Sequence, residues 1–118
     1  MENASEVWQL VYTKLAKAGF SVYSPGQHTG ECFEPYVVVT IGSALPYNNY
    51  TTIQTPYDIL CYVPEKAFST LEKFVASVEE CLDECDFLRS AHYRTASYYD
   101  ADVKGHMIST QYVNYRRM

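Results

Sequence analysis

A chain of 118 residues with 47% hydrophobic side chains suits one domain of ordinary size with a real core. Its net charge of -5 argues against nucleic-acid binding, which needs a basic surface to displace counterions, and only the closing YRRM is a local exception. No apolar run approaches the roughly 20 residues of a membrane span, and MENASEVWQL opens with acids instead of the basic start of a signal peptide, so the chain is expected to fold in the cytosol with its four cysteines as free thiols.

Along the chain, residues 5–18 read as a helix. Ser5 is placed as its N-cap, Val7, Val11 and Leu15 recur every four residues, Trp8 and Tyr12 broaden the stripe, and Gly19 is placed to end it in the left-handed conformation. FSVYS follows as a short strand with Phe20 and Val22 on one face. PYVVVTI is a second strand, continuous enough to be covered on both faces, and GSALPYNNY reads as a loop. Residues 51–63 form a third strand, with Tyr57, Ile59, Cys61 and Val63 on one face against Asp58, Leu60 and Tyr62 on the other. Pro56 cannot donate to a ladder and marks a bulge or an edge; Pro64 ends the strand.

Ser69 and Glu72 fit a capping box ahead of a second helix, whose apolar face carries Leu71, Phe74, Val75, Val78, Cys81, Leu82 and Cys85. Two strands follow near 88–97 and 105–116, joined through YYDADVKG as a hairpin. In the last, Met107, Val113 and Tyr115 face one way and Ile108 and Tyr112 the other. The order α-β-β-β-α-β-β predicts a single α+β domain over 1–118, a mainly antiparallel sheet with both helices on one face. Twelve tyrosines suit strands and also contact surfaces.

Two groups of residues invite chemistry. Cys81 and Cys85, with His92 or His106, could be metal ligands, but both cysteines fall on the apolar helix face, where thiols act as small hydrophobes, and zinc sites draw tighter pairs from turns. Cys61, in a strand, is read as core in the same way. Cys32 and His28, in SPGQHTGECFEP, could be a nucleophile and its base. Such a pair needs an orienting third group, for which Asn48, Asn49 or Glu34 are available, but no motif supports any of them. No serine elbow, P-loop or dinucleotide fingerprint is present.

Three stretches in this order and spacing, SPGQHTGECFEPYVVV, YDILCYVP and HMISTQYVNYRR, resemble the tail terminator proteins of long-tailed bacteriophages and prophages, also called tail completion, head-tail joining or minor capsid proteins. The resemblance covers most of the chain and contains no catalytic signature. It implies a curved sheet with two helices, a hexameric ring that ends polymerisation of the tail tube, no enzymatic activity and no cofactor. The implied partners are further copies of the chain, the major tail tube protein and the head-tail connector, with genomic DNA passing through unbound. The implied location is the host cytoplasm and then the virion neck.

On that reading Gly26 and Gly30 permit sharp turns, Pro35 sets an extended approach to YVVV, and His28 and Cys32 are loop residues. Candidate contacts are Tyr47, Asn48, Asn49 and Tyr50 in the long loop, Asp100 and Asp102 in the hairpin, and Arg116 and Arg117 at the end. Acids, among them Glu79, Glu80, Asp83 and Glu84, should face water along a channel, and basic groups should sit at contacts. Two other readings stay open: a small thiol enzyme using Cys32 and His28, and a stand-alone ligand-binding domain with a pocket between helices and sheet.

Overall fold

The computed structural model describes residues 4–47 and 52–117. The four-residue spacing of Val7, Val11 and Leu15 makes the buried stripe of α1 (Ala4–Lys17). Gly19 ends the helix at φ +99°. The Gly19 amide donates to Ala16 O (3.1 Å) and the Phe20 amide to Leu15 O (3.2 Å), the two bonds of a Schellman turn, which only a residue free of Cβ strain closes cheaply. Because the helix already includes Ala4, Ser5 lies in its first turn instead of capping it.

Among the described residues seven strands form one open sheet: β1 (Val22–Tyr23), β2 (Tyr36–Ile41), β3 (Leu45–Tyr47), β4 (Thr52–Pro64), β5 (Arg89–Arg94), β6 (Tyr98–Asp100) and β7 (Gly105–Arg117), in the spatial order β1-β2-β4-β7-β5, with β3 added beside β4 and β6 beside β7. Every pairing is antiparallel except β1 with β2. The predicted α+β class, with both helices against one sheet face, is the observed one.

Alternation decides which face is covered. Tyr57, Ile59, Cys61 and Val63 of β4, Val37 and Val39 of β2, and Ile108 and Tyr112 of β7 pack with the stripes of α1 and of α2 (Leu71–Leu82) into one core. The Trp8 indole crosses from α1 to donate to Val39 O at 2.8 Å.

Several local expectations are corrected. β2 is not covered on both faces, since Val38 and Thr40 are only half-buried on the side without helices. Part of the GSALPYNNY loop is strand β3, because Leu45 and Pro46 find partners in Gln54 and Ile53. The capping box does not form: a 3-10 segment (Glu65–Thr70) holds Ser69, and the N-cap is Thr70, whose hydroxyl donates to Ala67 O at 2.7 Å. Cys85 lies past the end of α2, where Cys85 N reaches back to Leu82 O in a tighter turn, yet it stays buried. The strand expected over 88–97 is shorter, β5 ending at Arg94, and is interrupted within by an irregular register between Ser90 and Arg94, where His92 takes φ +54°; β6 begins beyond it, at Tyr98, in the stretch expected to be the hairpin connection. β4 runs unbroken through Pro56, which keeps register with Val113 of β7; the break lies in the neighbouring strands, where the chain leaves β2 on its way to β3 and Gly42 N donates to Pro56 O (2.8 Å).

β4 and β7, each 13 residues long, pair from Thr52↔Arg117 to Pro64↔Gly105. At about 3.3 Å per residue this ribbon is about 40 Å long, and it sets the 47 Å long axis of the molecule. At one end, beyond Tyr57, whose hydroxyl donates to Ala4 O (3.0 Å), β3 joins it in a three-stranded arm outside the helices. At the other end the β6–β7 hairpin turns through Lys104 at φ +51°.

The chain from Ser24 to Pro35 straps across the sheet to that hairpin end. Gly26 and Gly30 bend it at φ +78° and +85°, and Cys32 N donates to Val103 O at 2.6 Å. A Cβ on Gly105 would sit 3.0 Å from Val63 O and 3.1 Å from the Cys32 Cβ. Gly105→Val is therefore expected to lower stability by about 1–3 kcal/mol, read as a shift in urea midpoint with unchanged slope.

Candidate functional site

The strap places His28 and Cys32 in different surroundings. The His28 ring stacks on Tyr36 (centroids 4.0 Å apart, planes 14° apart), and Tyr36 stacks in turn on Tyr62 (4.7 Å, 10°). Tyr23 closes the cluster edge-on to both His28 and Tyr36. The Cys32 thiol is buried and donates to Glu34 O at 3.4 Å. Burial, helped by the nearby Glu31 carboxylate, pushes its pKa up to about 11. A catalytic thiol needs the opposite shift, toward thiolate at neutral pH. Of the third groups considered, Glu34 engages Cys32 through its backbone, and Asn48 and Asn49 lie outside the described residues.

The remaining thiols are also packing groups. Cys61 is fully buried and pushed up to about 12 by desolvation. Cys81 is half-buried on α2 with its sulfur 3.9 Å from Lys14 O, and Cys85 is buried beyond the helix. His106 lies between Phe68 and Tyr99 at the hairpin end, and His92 is exposed in the β5 irregularity. Among the described residues no three His, Cys, Asp or Glu side chains gather closely enough to hold a metal ion. Ellman's reagent at pH 8 is expected to modify Cys81 first, with Cys32, Cys61 and Cys85 released only on unfolding. Four equally fast thiols in the native protein would contradict this packing.

One polar cluster is built across α2 and the sheet. The Glu79 carboxylate accepts from Arg94 through Nε (2.9 Å) and Nη2, and from the Thr110 hydroxyl at 2.7 Å. These bonds, Arg94's foremost, hold its pKa below the usual carboxylate range. The Tyr112 hydroxyl donates to Asp83 Oδ1 (2.8 Å), with Glu79 O 3.1 Å away, and burial and Asp83 raise its pKa. Glu84 accepts from Lys14 at 2.7 Å. Glu79, Asp83 and Glu84 are thus tied within one copy, while Asp83 and Glu84 remain exposed to water. Glu80 is exposed. The centre of the space between helices and sheet is filled by core side chains, and at its margin an open cleft of about 820 Å³ lies between the end of α2 and strands β5 and β7, lined by Glu79, Asp83, Arg89, Arg94 and Tyr112.

The candidate contact residues divide between the two ends. Tyr47, Thr52 and Arg117 lie across the three strands of the arm, so residues 70 positions apart in sequence become neighbours through Thr52. Arg117 is exposed, and Arg116 is half-buried on the helix side. Asn48, Asn49 and Tyr50 lie outside the described residues. Asp100 and Asp102 sit at the opposite end, and Asp100 Oδ1 accepts from the Asp102 amide (3.0 Å), so Asp100 shapes the turn while the Asp102 side chain is exposed.

The sequence reading missed the exposed apolar groups at both ends: Leu45 and Tyr115 on the arm, and Phe33, Tyr98 and Phe68 toward the hairpin. Phe33, 79% exposed in a polar strap, was the one with a readable signal, as a lone aromatic outside any periodic run. The outer sheet face, including Val38, Leu60, Tyr62 and Met107, has no helix over it. No described helix is long and apolar enough to cross a membrane.

The chain matches no protein-family model and no curated protein.

Proposed function

We propose that the chain is a structural protein of the bacteriophage neck, a tail terminator that closes the tail tube as a hexameric ring and presents a surface to the head-tail connector. The observation that carries this reading is the arm with its open sheet: a ribbon extending past the helices, a sheet face without helices and open edge strands on both sides make a body shaped for contact with other proteins. The three stretches that resemble tail terminators support the specific role. The upward-shifted Cys32 thiol speaks against the thiol enzyme. Net charge of -5 suits a passage through which DNA slides unbound. The ring works in the host cytoplasm during assembly and remains in the virion neck.

Replacing Tyr47 and Tyr50 together by serine is expected to leave the monomer folded and to impair joining, giving free heads and tubes of irregular length by electron microscopy. Normal virion yield from that double variant would contradict the contact role of the arm.

A further inference from the structure

Besides β1 and β5, which end the sheet path, two short edge strands, β3 and β6, occupy diagonal corners of the sheet. β3 pairs only with β4, on the β2 side, at the arm end, and β6 pairs only with β7, on the β5 side, at the hairpin end. Their open edges therefore face in opposite directions. The two corners also differ in charge. The described arm segments 45–47, 52–54 and 115–117 contain Arg116 and Arg117 and no acid, and the sequence has no charged residue from 35 to 57. The hairpin corner gathers Glu31, Glu34, Glu65, Asp100 and Asp102 against Lys66 and Lys104. It is held as a unit by Cys32 N to Val103 O, the Glu31–Lys104 ion pair at 3.8 Å, and the Tyr99 hydroxyl donating to Glu65. Each corner carries exposed apolar surface: Leu45 (58%) and Tyr115 (40%) on the arm, Phe33 (79%) and Tyr98 (57%) at the hairpin.

We propose that the arm corner of one copy docks on the hairpin corner of the next, β3 beside β6, so that the partner of each surface is a second copy of this chain. This inference rests on the reading that the chain assembles with itself, and adds which surfaces meet. Exposed strand edges are templates for strand addition, and basic against acidic surface sets their orientation and suppresses arm-to-arm and hairpin-to-hairpin pairing. Because the two edges face opposite ways, the contact is heterologous: every copy keeps one arm and one hairpin corner to offer, and the series ends only by closing into a ring.

The test uses two charge reversals at exposed positions outside the core, Arg117→Glu and Asp102→Lys, in full-length protein. Sedimentation velocity follows each alone and as an equimolar mixture, up to about 1 mM. Each variant alone sets like charge against like at every contact and is expected to self-associate about tenfold or more weakly than the native chain. In the mixture, alternating copies restore an opposite-charge pair at both kinds of junction, so assembly should return to near the native level with even-numbered species. Native-like association of either variant alone, or a mixture that stays dissociated while the native chain assembles, would overturn the proposed surfaces and leave self-assembly standing. A native chain that never self-associates over this range would overturn both.

Discussion

Tyr36→Ala is expected to cost about 3–5 kcal/mol, the range for removing a buried aromatic side chain. Tyr36 is 3% exposed and is the middle ring of the stack from His28 to Tyr62, with Tyr23 packed edge-on against it. Its loss opens a cavity beneath the strap and removes the aromatic contacts that anchor the strap to the sheet, each worth about 0.5–1.5 kcal/mol beyond area burial. Trp8, bonded to Val39 O three residues further along β2, offers a fluorescence probe for urea unfolding. A loss under about 1 kcal/mol would show that the stack contributes little. His28→Ala should be milder, because Tyr36 remains packed on Tyr62.

Glu79→Ala is expected to cost about 2–3 kcal/mol, since it leaves Arg94 and the buried Thr110 hydroxyl without their acceptor. The pair is part-exposed, with side-chain exposures of 21% for Glu79 and 37% for Arg94, which keeps the cost below that of a fully buried pair. The pH dependence has a definite sign. The folded-state pKa of Glu79 is lowered, so its contribution is complete above the unfolded carboxylate value of about 4.3 and is lost as pH falls through the lower folded value. Native stability should fall more steeply than that of Glu79→Gln between about pH 5 and pH 3. Parallel pH profiles for the two proteins would remove Glu79 from the acid response.

Both sites show where sequence reading reaches its limit. α1 was legible because three apolar residues at a spacing of four and one glycine define a stripe and a stop. The halves of β4 and β7 beneath the helices were legible because strict alternation survives there: Tyr57, Ile59, Cys61 and Val63 all face the core. β3 was not legible, since LPY carries no alternation and becomes strand only because β4 runs on past the helices to meet it. The burial of Cys32 comes from a contact with Val103, 71 residues away, which no local pattern encodes. Glu79 looked like one acid among several; its role is set by Arg94 and Thr110, brought to α2 by the sheet. The contact candidates were found singly, but their division into a basic arm and an acidic hairpin corner follows from the β4–β7 register.

The central claim, that this chain ends a tail tube as a ring, is tested most directly by adding the purified protein to tubes growing from the cognate major tail tube protein and imaging them by electron microscopy. The account predicts six-fold rings at tube ends and tubes that stop lengthening once capped. Tubes that elongate unchanged, with bare ends at saturating protein, would contradict it.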